Sequence, residues 1–315
     1  MKLYQAPLEG ITGYIYRNAL FKVFGGPDKY FMPFISPYEK RIITEKEIKQ
    51  LCPENNRDTK AIPQILTTDS KGFTELTDRL NSEYGYEEFN INFGCPSGTV
   101  VSKGRGAGTL ADTDLLERFL DEIMSRSRYK ISVKTRIGLH NKNEFQAILA
   151  IYNKYSLEEL IVHPRIGDEK YKGLPHMDVY REACNNSKNL LVYNGDIDTK
   201  EAYESFVTEN YPNTIAVMIG RGMLKDPAVF REIKGGNGYS AEELKEFLTI
   251  IREAYTSDFS GETPVLQKMK EIWSYMGPAL IEKGEIDPRL VKNIIKSKKI
   301  SEYKIYEKEI IREIV

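Results

Sequence analysis

The sequence has few of the residues that build disulfide frameworks or metal sites. Its 315 residues include only three cysteines and three histidines. The cysteines, Cys52, Cys95 and Cys184, lie far apart and form no C-x-x-C pair, and the histidines lack the spacing of metal ligands. We therefore predict no bound metal and no disulfide framework, as expected for a reducing compartment.

Long hydrophobic runs and an excess of one charge are also missing. No apolar stretch approaches the roughly 20 residues that cross a bilayer, and the first residues lack the apolar core of a signal peptide. We therefore expect a cytoplasmic protein without membrane attachment. The formal net charge is −1, so any nucleic-acid contact must come from a local basic patch. Hydrophobic residues make up 41%, which suits one large domain plus a small appendage.

Short apolar segments alternate with longer helical patterns from the start of the chain to about residue 235. Most of the short segments are near-continuous apolar runs, typical of parallel strands covered on both faces. The predicted strands are 3–8, 29–34, 61–66, 88–93, 131–136, 160–163, 190–193 and 215–219. The predicted helices between them include 12–24, 70–84, 112–125, 142–155 and 199–210. This order predicts an α/β fold with a (β/α)8 barrel, although a doubly wound open sheet gives the same alternation.

The pattern changes beyond residue 235, where Gly-Gly-Asn-Gly (235–238) is typical of a linker. Ser240 and Glu243 form a capping box that predicts the start of a helix. The remaining sequence is helical in pattern, with breaks predicted near 261–264, 277–278 and 287–288. We therefore predict a barrel domain over residues 1–235 and a small all-helical domain of three or four helices over residues 240–315.

The predicted helical domain contains a run of basic residues between positions 289 and 308, called here the basic tail segment. Its two acidic residues are Glu302 and Glu307. Such a run can bind RNA phosphates or can simply be a solvated face. The basic residues are Arg289, Lys292, Lys296, Lys298, Lys299, Lys304 and Lys308.

Polar residues follow the apolar runs at the ends of most predicted strands, where the catalytic groups of a (β/α)8 barrel lie. Lys134 and Gln64 can hold the edge of an electron-rich ring, with Lys134 offsetting the negative charge of a reduced flavin. The alternatives are an ion pair of Lys134 in the barrel mouth and hydrogen bonds of Gln64 to the backbone. The polar residues at these ends are Gln64, Asn92, Lys134, Arg136, His163, Arg165 and Asn194.

Glycines occur at the ends of the last two predicted strands, in Asn-Gly-Asp (194–196) and Gly-Arg-Gly (220–222). Glycine lets the backbone approach a phosphate and offer its N–H groups, and Arg221 adds a cation. The loops after strands seven and eight form the usual phosphate site of this fold. The two glycine motifs together predict a phosphorylated cofactor, although two ordinary tight turns would have the same sequence pattern.

Cys95 follows the fourth predicted strand and begins a glycine-rich run that contains Lys103 and Arg105. A lone cysteine is more often an inert core residue. This one precedes a proline in a loop, where packing is not its obvious role. The glycines would permit a mobile lid, and Lys103 and Arg105 can meet phosphates.

Taken together in this order and spacing, the strand-end motifs resemble the tRNA-dihydrouridine synthase family over residues 3 to about 230. The helical tail corresponds in position to that family's RNA-binding domain. The motifs are Ala6-Pro7-Leu8-Glu9-Gly10, Asn92-Phe93-Gly94-Cys95-Pro96, Val133-Lys134-Thr135-Arg136, His163-Pro164-Arg165, Asn194-Gly195-Asp196-Ile197 and Gly220-Arg221-Gly222.

The resemblance implies FMN as the cofactor, NADPH as the reductant and tRNA, or another structured RNA, as the partner, with no obligate protein partner. Hydride would pass from reduced FMN to carbon 6 of uracil, and Cys95 would protonate carbon 5. A thiol with an ordinary pKa of about 8.5 is protonated near neutrality and suits this role. The substrate contacts would come from Asn92, Lys103, Arg136 and Arg165. The cofactor contacts would come from Pro7, Leu8, Gln64, Lys134, His163, Asn194, Gly195, Asp196, Gly220 and Arg221.

One stretch departs from the family pattern. Ile166 stands where a threonine is usual, and residues 171–175 keep only part of the usual motif. Three other functions remain open from the sequence: the same chemistry on ribosomal RNA, a dihydroorotate-dehydrogenase-like reaction on a free pyrimidine, and a flavin- or RNA-binding protein without catalysis.

Overall fold

The computed structural model describes residues 1–37 and 43–314. Contacts group the chain into two compact units. The first comprises Met1–Pro7, Asp28–Gly195 and Val207–Met218. The second comprises Leu8–Pro27, Asp196–Phe206 and Ile219–Val315, of which residue 315 lies outside the described part.

Eight parallel strands form the sheet, in the order β2-β1-β8-β7-β6-β5-β4-β3. Two bridges, Phe31 to Ile62 and Ile35 to Ile65, join the segments beside β2 and β3, so the two ends of this order also meet. The predicted (β/α)8 barrel is therefore confirmed, and the open-sheet alternative is not adopted. The strands are β1 (Lys2–Gln5), β2 (Lys29–Tyr30), β3 (Gln64–Ile65), β4 (Glu88–Phe93), β5 (Lys130–Arg136), β6 (Leu160–His163), β7 (Leu191–Tyr193) and β8 (Thr214–Ile219).

One face of the sheet is apolar on some strands and polar on others. An apolar cluster on this face includes Ile161 of β6, Val192 of β7 and Ala216 of β8, which are partners in register. Ile161 is also the register partner of Lys134 on β5, which in turn pairs with Asn92 on β4. Register partners in parallel strands point to the same face. The polar residues of β4 and β5 therefore continue the face that the apolar cluster begins.

Helices follow the strands in the alternation that the sequence predicts. The predicted helix 70–84 matches Ser70–Tyr84, and the other predicted helices up to residue 210 agree within a few residues. The helices are α1 (Tyr14–Phe24), α2 (Glu45–Leu51), α3 (Ser70–Tyr84), α4 (Gly98–Val101), α5 (Thr113–Met124), α6 (Glu144–Tyr152), α7 (Met177–Asn186), α8 (Lys200–Thr208), α9 (Arg221–Lys225), α10 (Val229–Ile233), α11 (Ala241–Asp258), α12 (Glu262–Glu282), α13 (Pro288–Lys296) and α14 (Ile300–Glu313). Short 3-10 helices cover Pro53–Asn56 and Gly106–Ala111.

The last four helices belong to the second unit, and α11, α12 and α13 begin where the sequence predicts a helix start or a break, whereas the start of α14 was not predicted. Ser240 and Glu243 form the predicted capping box of α11. The side chain of Asp287 accepts the N–H of Arg289 at the start of α13, where a break is predicted. The four helices agree with the three or four that the sequence predicts for the tail. The predicted boundary at residues 235–240 remains a prediction about which parts fold independently.

The break predicted at residues 277–278 is wrong, because α12 continues through Gly277 and Pro278 to Glu282. The glycine has a packing role instead. A Cβ at Gly277 would lie 2.5 Å from Cγ1 and 3.0 Å from Cγ2 of Val291 on α13. Gly277 therefore permits a close approach of two helices.

Among the helices of residues 1–37 and 43–314, none combines the length and the apolar composition that a membrane crossing requires.

Candidate active site

Cys95 lies in the loop that leaves the end of β4, and backbone hydrogen bonds fix this loop. The side-chain Oδ1 of Asn92 accepts the N–H of Gly94 at 3.0 Å and the N–H of Cys95 at 2.9 Å. The carbonyl of Cys95 accepts the N–H of Ala107 at 3.0 Å. Cys95 is partly exposed, and both its backbone N–H and its carbonyl are hydrogen-bonded.

Gly106 packs directly beneath Cys95 in a conformation that favours glycine. Its φ is +56°, and a Cβ there would lie 2.8 Å from the Cys95 carbonyl oxygen and 3.0 Å from the Cys95 Cβ. The glycine-rich run therefore packs against the backbone and the Cβ of Cys95. Lys103 of the same run is exposed. Its predicted contact with RNA remains a prediction.

A chain of buried side-chain hydrogen bonds leads from Asn92 into the barrel. Asn92 Nδ2 donates to Gln64 Oε1 at 2.7 Å, and Gln64 Nε2 donates to Asn90 Oδ1 at 2.7 Å. Asn90 Nδ2 donates to Ser132 Oγ at 2.9 Å. Gln64 and Asn92 thus belong to one network with Asn90 and Ser132, which the sequence analysis did not single out.

Lys134 lies beside this network on β5. It is partly buried, and its ammonium has no hydrogen-bond partner within residues 1–37 and 43–314. The pKa of Lys134 is lowered from 10.5 to about 7, mainly by burial and also by the charge of Arg136, whereas Cys95 opposes the shift. Within residues 1–37 and 43–314, Lys134 forms no ion pair, which was the alternative predicted for it. A buried cation of this kind suits an anionic ligand group.

Arg136 connects the Cys95 loop to the loop after β6. Its Nε donates to the carbonyl of Gly94 at 2.9 Å, its Nη1 to the carbonyl of Ile166 at 2.9 Å and its Nη2 to the carbonyl of Lys170 at 2.6 Å. Burial lowers the pKa of Arg136 to about 10. Each guanidinium nitrogen is thus bonded to the backbone, which gives the residue a bracing role. A contact of Arg136 with substrate remains a prediction.

His163, Arg165 and Tyr171 form a second group after β6. Arg165 Nη1 lies 3.2 Å from His163 Nε2, and Arg165 Nη2 donates to the carbonyl of Gly173 at 2.6 Å. The rings of His163 and Tyr171 are 6.3 Å apart, and the guanidinium of Arg136 lies 5.5 Å from the Tyr171 ring centre. The structure thus brings His163, Arg165 and Arg136 together around a half-exposed tyrosine.

The predicted residues after β7 are held by the strands. Asn194 Nδ2 donates to the carbonyl of Met218 at 2.9 Å, and the N–H of Asn194 bonds to the carbonyl of Val162. Gly195 lies against the Tyr193 ring, whose hydroxyl would be 2.0 Å from a Cβ at this position. That contact is reason enough for a glycine here, whether or not a phosphate approaches it.

The remaining predicted cofactor residues, apart from Pro7, belong to the second unit. Arg221 Nη2 donates to Asp196 Oδ1 at 2.6 Å, so two of these residues form an ion pair with each other. Gly220 immediately precedes α9. Leu8 follows Pro7 after β1, and its backbone N–H donates to Thr12 Oγ1 at 2.8 Å. The binding roles of these residues remain predictions.

The basic tail segment keeps its positive charge at the surface of the second unit. All seven of its basic residues are exposed, whereas Glu307 is buried against Arg252 and the hydroxyl of Tyr303. One of the two acidic residues of the segment is therefore withdrawn from the surface. Arg289 forms an ion pair with Asp287 at 2.7 Å.

The family model for dihydrouridine synthase (Dus) matches residues 4–295, which is most of the chain. The chain belongs to the dihydrouridine synthase family. The matched range includes the barrel and helices α11 and α12 together with most of α13. The sequence-based recognition of this family is confirmed, and the chain is an oxidoreductase of this family.

Relatives from two bacteria match nearly the whole chain. It is 26% identical over 284 residues to tRNA-dihydrouridine synthase B of Pasteurella multocida, covering 90% of this chain and 80% of the relative. It is 25% identical over 297 residues to the probable tRNA-dihydrouridine synthase of Helicobacter pylori, covering 93% and 86%.

Solved structures confirm the fold at much lower identity. Histamine dehydrogenase from Rhizobium sp. 4-9 superposes with a TM-score of 0.54 at 11% identity, over 79% of this chain. A 2-naphthoyl-CoA reductase superposes with a TM-score of 0.51 at 9% identity, over 75% of this chain. This chain spans about half the length of each of those proteins, so the likeness concerns the barrel architecture alone.

Sequence reasoning missed Asn90, Ser132 and Tyr171. The signal for the first two was present, because Asn90 lies two residues before Asn92 and Ser132 two residues before Lys134. Side chains two apart in a strand share a face. Tyr171 had no comparable signal, since its place beside His163 depends on the path of an irregular loop.

Proposed function

We propose that this protein reduces uridine to 5,6-dihydrouridine in tRNA, with FMN as the bound cofactor, NADPH as the electron source and Cys95 as the acid. Membership of the dihydrouridine synthase family implies a flavin. The observation that carries the assignment of roles is the Cys95 loop. Asn92 and Gly106 hold the backbone of this partly exposed cysteine near Lys134, which has no hydrogen-bond partner in the described chain.

The residues of the first unit fit a flavin. Lys134 is a partly buried cation with no hydrogen-bond partner in the described chain, so its charge is available to the electron-rich edge of the ring. Gln64, Asn92 and His163 lie on β3, β4 and β6 and can meet polar edges of a ring. When bound, the flavin supplies a hydride to carbon 6 of the uracil.

Cys95 supplies the proton that the reaction then requires. Its thiol gives a proton to carbon 5, and the bond from carbon 5 to hydrogen forms as the S–H bond breaks. The thiolate left behind lies close enough to Lys134 and Arg136 to interact with both charges, which stabilise it until solvent returns the proton. We further propose that Lys134 and Arg165 offset negative charge on the uracil carbonyl oxygens during the transfer.

We also propose, from the family resemblance, that Asn194, Gly195, Asp196, Gly220 and Arg221 would contact the ribityl-phosphate part of FMN, and that Pro7 and Leu8 would contact its ring. Arg221 is the cation of this set, and its pairing with Asp196 holds the guanidinium in one orientation. Lys103 and the basic tail segment are assigned to RNA phosphates, because both are exposed and positively charged.

Replacing Cys95 tests the proposal. We expect Cys95→Ala to bind FMN normally but to form dihydrouridine in a tRNA transcript about 10²–10⁴ times more slowly, the usual worth of a positioned acid. Cys52→Ala is the matched control, because Cys52 ends α2 and has no proposed role. Unchanged dihydrouridine formation by Cys95→Ala would remove Cys95 from the chemistry.

The substrate is tested with the same wild-type protein. We expect turnover of a tRNA transcript and none of a ribosomal RNA fragment or of free dihydroorotate. Turnover of the ribosomal RNA alone would keep the chemistry and replace the substrate. Turnover of dihydroorotate without RNA would reject the proposal.

A further inference from the structure

The chain of hydrogen bonds behind the Cys95 loop has only one self-consistent direction. The N–H groups of Gly94 and Cys95 require an acceptor, so the atom of Asn92 that faces them must be oxygen. Asn92 then presents its NH2 group to Gln64, and Gln64 must receive it with oxygen. The backbone of the cysteine loop thereby fixes the orientation of two amide side chains.

The same reasoning continues to the far end of the chain. Gln64 must present its NH2 group to Asn90, which receives it with Oδ1 and donates its own NH2 group to Ser132 Oγ. The hydroxyl of Ser132 points towards the carbonyl of Phe89 at 3.4 Å. Each donor along the chain therefore has a single acceptor, and every link points away from Cys95.

Because the chain is buried, its hydrogen bonds cannot reverse their direction without a large cost in free energy. Asn90 and Ser132 are 0% exposed and Gln64 is 1% exposed, so bulk water cannot replace a broken link. A reversed amide would leave two donors or two acceptors facing each other in a buried site, which costs more than a lost hydrogen bond at the surface. The orientation of Asn92 therefore depends on Asn90 and Ser132, which lie two and three hydrogen bonds away along the chain.

We propose that Asn90 and Ser132 are positioning residues for Cys95, acting through Gln64 and Asn92 to hold the cysteine loop in its reactive geometry. This inference rests on the proposed role of Cys95 as the acid. Without the acceptor on Asn90, Gln64 is free to rotate its amide, Asn92 loses the fixed acceptor for its NH2 group, and the turn that holds Gly94 and Cys95 loosens.

The test compares Asn90→Leu, which has a similar size and no hydrogen-bonding groups, with Asn90→Asp, which keeps the acceptor for Gln64 and can accept from Ser132. With chemically reduced holoenzyme and saturating FMN, we expect Asn90→Leu to slow single-turnover uridine reduction about 10- to 100-fold, as a slightly misplaced catalytic group does. In the same variant, the rate at which iodoacetamide alkylates Cys95, followed by mass spectrometry, should also differ from the wild-type rate. Asn90→Asp should restore most of both rates.

Thr135→Val is the matched control. Thr135 is also fully buried on β5 and also makes two side-chain hydrogen bonds, to the Arg136 carbonyl and from Tyr152, but it does not belong to the chain. It should lose stability without altering either Cys95 rate. If Asn90→Leu does not fold, Ser132→Ala removes the last link instead and should slow both rates in the same direction.

The proposal is overturned if Asn90→Leu or Ser132→Ala keeps both wild-type rates, if Thr135→Val changes them equally, or if Asn90→Asp is no better than Asn90→Leu. The alkylation rate separates this proposal from the one before it. If Cys95→Ala retains uridine reduction while Asn90→Leu still alters Cys95 alkylation, the role of Cys95 fails and the positioning chain stands.

Discussion

At the scale of the residue, Lys134 has the property that depends most on the proposed cofactor. Burial lowers its pKa from 10.5 to about 7, so the folded protein without flavin resists holding this lysine charged. Below a pH of about 7, Lys134 is charged in both folded and unfolded chains and the cost of burying the charge is fully present. Between that pH and the ordinary pKa, the unfolded chain holds more protons, so this cost falls as pH rises.

Replacing Lys134 by methionine should therefore stabilise the flavin-free protein and lower its affinity for reduced flavin. We expect the Tm of Lys134→Met to exceed that of the wild type at about pH 6, with a smaller advantage at about pH 9. Differential scanning calorimetry of flavin-free protein measures both values, and flavin fluorescence measures the Kd. An equal Tm difference at the two pH values would show that Lys134 is not a desolvated cation.

The strand ends show how far single residues could be predicted. Cys95, Asn92 and Lys134 were found because strand ends of a barrel carry the chemistry, and the strands themselves could be read from apolar runs. The partners of Arg136 could not be found in the same way, because all three are backbone carbonyls. A carbonyl is present at every position, so only the path of the chain shows which ones an arginine meets.

At the scale of the element, the strands with long apolar or alternating runs were predicted best. The bounds of β4 and β6 match the predicted 88–93 and 160–163, whereas β2 and β3 are only two residues long where six were predicted. Apolar composition predicts burial near those two strands but not how many residues join the hydrogen-bonded ladder. The predicted break at Gly277 failed for a related reason, since its packing against Val291 involves a residue that is distant in sequence.

The glycine-rich turn after Cys95 gives a test at the scale of the element. Gly104 and Gly106 both have positive φ, +63° and +56°, but only a Cβ at Gly106 would meet another residue. We expect either Gly→Ala change to cost about 1–2 kcal/mol of stability from the left-handed backbone. Only Gly106→Ala should also slow dihydrouridine formation, because it displaces Cys95. Thermal unfolding and the tRNA assay measure the two effects, and equal activity of the two variants would contradict the account.

At the scale of the whole molecule, the net charge of −1 conceals a local excess of basic residues. The seven basic side chains of the basic tail segment are exposed, while Glu307 is buried with Arg252. The composition could not reveal this, because it counts a buried carboxylate and an exposed one alike. Within this segment the fold therefore leaves every basic side chain exposed and buries one of the two carboxylates.

The basic tail segment should govern the salt dependence of RNA binding. Changing Lys296, Lys299 and Lys304 together to glutamine should weaken tRNA binding and reduce the slope of log Kd against log salt by about 2 to 3, if each lysine meets one phosphate. The same change at the exposed Lys71, Lys130 and Lys188 of the first unit is the control and should leave the slope unaltered. An unchanged slope in the first variant would make the segment an ordinary solvated face.

The most direct test of the whole account is to incubate the purified protein with FMN, NADPH and an unmodified tRNA transcript and to map the product by mass spectrometry. The account predicts that a uridine at a defined position gains two hydrogen atoms, and that omitting FMN abolishes the gain. A transcript that keeps its original mass at every uridine, with flavin bound and reduced, would contradict it.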